Sequence, residues 1–196
     1  RPFRRPSVIW VVAACARVLL AIFGRGLFGQ WCRRHAARDL DVWALGDAQK
    51  WLARADWFSP GNPETELMRA RCFRQLLDTP RRDAALELAR KYGASPPAVQ
   101  SELTLEKIQT GELGEEASRE FDMLFAAGIS PDDISGAYIS SAIARKNPQL
   151  AAALVDTWER GSPNHPHVIF LRGVLRTLAN DSDGARALFE QALKIE

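Results

Sequence analysis

Apolar positions fall into two regimes along the chain. Between Val8 and Phe23 they form a run interrupted only by Arg17. Beyond residue 28 they recur at helical spacing in short stretches, separated by turn-forming residues. A small residue returns at Ala48, Ala84, Ala117, Ala151 and Ala185, in steps of 36, 33, 34 and 34 residues. Each follows a turn-like stretch: Ala44–Asp47, Asp78–Pro80, Thr110–Gly114, Lys146–Pro148 and Asn180–Gly184. Four positions after each alanine comes a larger apolar residue, Leu52, Leu88, Phe121, Val155 or Phe189. A spacing of four puts each pair on one helix face. Pro60, Gly93, Gly128 and Pro163 punctuate the ends of the units. The pattern predicts five helical hairpins, at about 29–62, 63–95, 96–129, 130–163 and 164–196.

A period near 34 with two helices per unit resembles the tetratricopeptide repeat. The match is fullest in the last unit, through Gly173, Ala185, Phe189 and Ala192. The first unit matches through Ala36, Ala48, Leu52, Ala55 and Pro60, and the fourth through Ala151, Val155 and Pro163. Leu105 replaces the small residue of the third unit, and Asp39 and Arg176 stand where the family places an aromatic. The resemblance implies an all-α fold: a right-handed α-solenoid of stacked helical hairpins, preceded by one N-terminal apolar helix. Stacking is required because a single hairpin cannot bury its apolar face alone.

The resemblance also implies a non-catalytic scaffold that binds a peptide or helix of another protein in a concave groove lined by first helices. Carried over by register, the groove positions are Arg33 and Ala37, then Arg69 and Phe73, then Glu102, Glu106 and Gln109. Ser140 follows in the fourth unit, and Phe170, Val174 and Thr177 in the last. Such a groove runs from basic to acidic, a polarity that orients a partner of complementary charge. A regulatory or substrate-binding module of a larger enzyme is the alternative, and self-association through uncapped ends a third reading. The sequence stops within an expected helix at Ile195–Glu196, so a longer parent protein is expected.

Arg1, Arg4 and Arg5 precede the apolar run, and Arg25 follows it. Its nine Val, Ile, Leu and Phe residues favour bilayer insertion by roughly 4 kcal/mol, against about 2.5–3.5 kcal/mol for a central arginine. A single-pass anchor over residues 1–28 is the expectation, with the side of the membrane open. An interfacial helix with Arg17 and Arg25 snorkelling, or a buried capping helix, are the alternatives. Val12-Ala13-Ala14-Cys15 is lipobox-like, but the apolar run continues past the cysteine.

Charge sharpens this division. Residues 1–100 hold 17 Lys and Arg against 9 Asp and Glu, and residues 101–196 hold 9 against 15. The basic half adjoins the apolar run, where anionic headgroups favour it. Trp31, Trp43, Trp51 and Trp57 gather around the first hairpin, as core packing or as an interfacial belt.

Little catalytic chemistry is in view. Cys15, Cys32 and Cys72 form no Cys-x-x-Cys pair. Cys32 and His35 share a helix face but lack two further metal ligands nearby. His165-Pro166-His167 reads as a helix start, and Asp132-Asp133 suits the helix dipole. Asp181-Ser182-Asp183-Gly184 lacks the remainder of a calcium loop. No phosphate loop, triad or broad basic-aromatic stripe is present, so no cofactor, metal, enzymatic activity or nucleic-acid partner is expected.

Overall fold

Helix boundaries in this chain are set by caps. A computed structural model describes residues 8–113 and 117–195; the side chains of residues 8–23, 117 and 118 lie outside that description. Asn62, Asp78, Asn147 and Asp181 accept hydrogen bonds from backbone N–H groups three residues on, at 2.9–3.1 Å. Pro63, Pro96, Pro131, Pro148 and Pro166 each open a helix, where the missing N–H costs nothing.

Ten helices result among the described residues, and no strand. They pair as α1 (Val8–Asp41) with α2 (Leu45–Phe58), and α3 (Pro63–Gln75) with α4 (Thr79–Lys91). Next come α5 (Pro96–Gln109) and α6 (Ala117–Ala126), then α7 (Pro131–Ala144) and α8 (Pro148–Gly161). The last pair is α9 (Pro166–Leu178) and α10 (Ser182–Ile195).

The repeat is most regular in its backbone. Trp43, Leu77, Gly111, Lys146 and Asn180 adopt left-handed φ values of 64, 58, 81, 56 and 61°, at intervals of 34 or 35 residues. Each sits just past a first helix and reverses the chain. The residue after it donates back across the last turn: Ala44 to Asp39, Asp78 to Phe73, Asn147 to Ala142 and Asp181 to Arg176, at 2.8–2.9 Å. This is the Schellman way of satisfying terminal carbonyls. Only Gly111 among the five occupies that region without a Cβ penalty.

Packing follows the repeat. Among the described residues the core falls into four small clusters, each joining one hairpin to the next. Ala36, Leu40, Ala48 and Leu52 meet Cys72; Ala70, Ala85 and Leu86 meet Val99. Leu105, Ile108 and Leu124 meet Ile134 and Ala137; Ile139, Ala142, Ala151, Val155 and Trp158 meet Val168 and Leu171. First helices α1, α3, α5 and α7 touch in succession.

Two stretches depart from the expected register. In α4 the buried small residues are Ala85 and Ala89, while Ala84 and Leu88 face solvent. Ala85 and Leu86 pack against Ala70 and Val99, which puts the buried face one residue on from the expected one. In α6 the buried position is Leu124, and Phe121, Met123 and Phe125 are exposed, because α6 packs only lightly on α5 and α7.

The N-terminal segment is not set off from the first hairpin. α1 runs unbroken from Val8 through Gly24, Gly26 and Gly29 to Asp41. Gly29 lets it approach the end of α2, since a Cβ there would sit 3.0 Å from that of Ser59. Among the described residues no helix is long and apolar enough to cross a membrane. Arg1, Arg4, Arg5 and the side chains of the Val8–Phe23 run lie outside the described residues.

Gly173 lies against Phe189 across the last hairpin, and a Cβ there would run into the Phe189 ring. Gly173→Ala is expected to destabilise the chain by about 1–3 kcal/mol. Adding Phe189→Leu should return part of that loss in a denaturant double-mutant cycle.

Candidate binding cavity on the inner face

The inner face, where the first helices meet, is built on buried charge. Arg74 of α3 is almost wholly buried and spends its guanidinium on three partners. Nε donates to Glu102 of α5 at 3.0 Å, Nη1 to Gln109 at 3.1 Å, and Nη2 to Asp133 of α7 at 2.7 Å. Arg71 Nε lies 3.0 Å from the same Asp133 oxygen, and its Nη2 donates to Asp41 at 2.9 Å. Gln75 donates to the other Asp133 oxygen at 3.2 Å, and Gln109 to the Arg74 carbonyl at 3.2 Å.

One buried and one half-buried cation thus face two buried anions. Burial opposes the Arg74 charge, but Asp133 and Glu102 hold its pKa above the usual arginine value. For Asp133 burial acts upward, yet Arg74 and Arg71 win and the carboxyl titrates below its ordinary range. Glu102 goes the other way: burial, aided by the Asp133 charge, outweighs Arg74 and raises it.

Above this layer the first turn closes onto the last hairpin. The Trp43 indole stacks flat on His167, with ring centroids 3.3 Å apart and planes 6° from parallel. Gly136 of α7 makes room, since a Cβ there would lie 3.0 Å from the indole. His165 Nε2 donates to the Asp41 carbonyl at 3.0 Å, while its Nδ1 accepts from the His167 N–H at 3.2 Å. Burial, and then His165, hold the His167 pKa down to about 3, so its imidazole is neutral at physiological pH.

Beside this clasp lies a cavity of about 560 Å³. Its floor is polar, with Gln75, Gln109, Ser140 and His167. Its walls are apolar, and Val42, Leu77, Phe170 and Leu193 remain solvent-exposed, Leu77 at 72% and Leu193 at 70%. A second depression of about 880 Å³ opens between α6, α7 and α8, where α6 stands away from its neighbours.

The positions expected to line a groove divide into three groups. Gln109, Ser140 and Phe170 come together around the inner cavity. The charged ones are engaged within the chain: Arg33 with Glu64, Arg69 with Glu66 and Asp56, Glu102 with Arg74, and Glu106 with Arg82. Phe73 lies under the Arg81 guanidinium, 4.9 Å from its ring. Val174 is half-buried, Thr177 is exposed with its hydroxyl on the Gly173 carbonyl, and Ala37 is half-buried on α1. The expected basic-to-acidic polarity is therefore neutralised by internal pairing.

Trp43, His167, Leu77 and Leu193 were not among the expected positions. Trp43 and Leu77 occupy turns, and a groove register built on first helices passes over them. Among the described residues no group of three or more His, Cys, Asp or Glu is placed to hold a metal ion. His35 stacks on Trp51 beside the buried Cys32, and Asp181 caps α10.

No protein-family model and no curated protein matches the chain. Among solved structures, one from a functional characterization of Pseudomonas aeruginosa pilF is similar at TM-score 0.42 and 14% identity. The alignment covers 87% of this chain and 78% of that one. A likeness at this level carries no functional inference.

Replacing Arg74 with Met strands the Glu102 charge and is expected to cost about 3–5 kcal/mol by urea unfolding. Adding Glu102→Met should recover much of it, because the loss comes from an unpaired buried charge. His167 supplies a pH signature. Its folded pKa lies below its unfolded value of 6.5, so the unfolded chain binds more protons between the two. Stability from this residue is complete above that range and falls as pH drops through it, by up to about 1.4 kcal/mol per pH unit. His167→Phe, which keeps a stacking ring, should flatten that slope in thermal melts.

Proposed function

We propose that this chain is a non-catalytic, tetratricopeptide-like scaffold that receives an apolar anchor from a partner protein in its inner cavity. The cavity itself carries the reading: about 560 Å³ with exposed aliphatic and aromatic walls beside a polar floor. A site of this composition suits one or two large apolar side chains presented by a helix or an extended peptide. In the polar floor Ser140 supplies a hydroxyl for the partner's backbone, while Gln109 is held by Arg74. The inner-face charges already satisfy one another, so recognition rests on shape and apolar burial rather than on charge polarity.

The reading is tested by crosslinking capture with the intact chain and with Phe170→Ser/Leu193→Ser. Both side chains are exposed, so the variant should keep its fold by circular dichroism. A partner held by the intact chain and lost from the variant is the expected outcome. Arg33→Gln should leave capture unchanged, and raising the salt should weaken it little, since screening acts on exposed charges. Equal capture by the intact chain and the cavity variant would remove the proposal.

A further inference from the structure

The first hairpin carries an aromatic surface that the inner cavity does not use. α1 and α2 lay their rings in a continuous ribbon. Trp57 meets Phe58 at 4.6 Å between centroids, Phe58 meets Phe28 at 4.7 Å, Phe28 meets Trp31 at 5.2 Å, and Trp31 meets Trp51 at 5.1 Å. Much of it faces water: Leu27 and Trp57 are each 68% exposed, and Phe28 and Trp31 nearly half. A contiguous apolar surface of this kind marks an interaction site.

The charges around the ribbon are of one sign. The Arg25 guanidinium lies 5.7 Å over the Trp57 ring, and that of Arg54 lies 4.6 Å over Trp51. Arg34 is exposed and shares a shallow depression with Leu27, Phe28 and Trp31. The carboxylates of α2 and of the start of α3 are already engaged: Asp47 with Lys50, Asp56 with Arg69, and Glu64 with Arg33. The ribbon therefore presents indole rings edged by arginines, which lie over or beside the rings and have no carboxylate partner among the described residues.

What this surface faces is indicated by the chain leading out of it. α1 passes without a break from the ribbon into the apolar sequence Val8–Phe23, about 24 Å of further helix, with Arg1, Arg4 and Arg5 before it. Tryptophan at headgroup level, arginine on phosphate and apolar helix in the adjoining layer are the elements of an interfacial membrane contact. We propose that this face of the first hairpin lies against an anionic phospholipid surface, with Trp31 and Trp57 in the headgroup layer and Arg25, Arg34 and Arg54 on lipid phosphates. The contact is interfacial, with α1 lying along the bilayer. Phe28 and Val42 are about 21 Å apart along α1, which leaves the cavity open to a protein partner while the ribbon is occupied. Lipid binding therefore stands or falls separately from the scaffold reading.

The experiment is co-flotation of the full chain with vesicles of phosphatidylcholine alone and of phosphatidylcholine mixed with phosphatidylglycerol. The chain is expected to float with the mixed vesicles and to be released by high salt. Arg25→Gln/Arg34→Gln/Arg54→Gln should weaken that binding roughly a hundredfold, at about one decade for each 1.4 kcal/mol and about 1 kcal/mol for each basic residue removed. Trp57→Ser, which keeps every charge and the whole apolar run, should weaken it as well. Phe170→Ser in the cavity should float like the unaltered chain. Circular dichroism of each variant establishes that the helices persist. Equal flotation with both vesicle types, or full flotation of the triple and Trp57 variants, would show that the apolar run alone partitions and would overturn the proposal. So would a dimer in size exclusion that the ribbon variants dissolve, with no vesicle binding, since that assigns the ribbon to a second copy of the chain.

Discussion

Arg74 cannot be left alone. A guanidinium removed from water must find anions and acceptors, and here they come from two other hairpins, 28 and 59 residues away in sequence. Satisfying it places α5 and α7 at fixed heights against α3, because Glu102, Gln109 and Asp133 must all point at one planar group. Arg71 and Gln75 then complete Asp133, and Gln75 reaches the Leu40 carbonyl at 3.4 Å, which draws α1 into the same arrangement. Apolar clusters between neighbouring hairpins bury surface without setting direction. The polar layer beneath the cavity is directional, because its hydrogen bonds hold only at set distances and angles.

The same layer changes the character of the inner face. In an open groove, charged first-helix residues would wait for a ligand. In this chain they are consumed internally, and what is left facing outward is apolar. Val42 and Leu77 reach the cavity from the turns, and Phe170 and Leu193 from the last hairpin. The surface that remains for a partner is thus a by-product of how the buried charges are neutralised.

Local features of the fold were legible in the sequence and distant ones were not. His165-Pro166-His167 marked a helix start because capping and the proline ring act within a few residues. The small-large spacing of Ala48 with Leu52, Ala151 with Val155 and Ala185 with Phe189 identified real packing faces, since both members lie on one helix. At Ala84 the same spacing pointed to an exposed face, because the neighbouring helices receive Ala85 and Leu86 instead. The Arg74 cluster carried no local signal at all: nothing near Asp133 announces an arginine two hairpins earlier. Asp132-Asp133 therefore read as helix-start carboxylates, and Asp132 does sit there, accepting from Trp158 Nε1 at 2.5 Å, while its neighbour turns inward. Gln109, Ser140 and Phe170 line the cavity because they obey the repeat. Trp43 did not, because its role depends on a histidine 124 residues away.

Trp43 bears on how this architecture is able to change. Open helical arrays grow or shrink by whole repeats, because each unit needs only its neighbours. Here the turn of the first hairpin stacks on the opening of the fifth and is seated against Gly136 of the fourth. Duplicating or deleting any intervening unit would carry His167 out of reach and leave a tryptophan in a left-handed turn with nothing to hold it there. The clasp fixes the number of repeats between the first turn and the fifth hairpin, so divergence between those two points is confined to substitutions and loop changes.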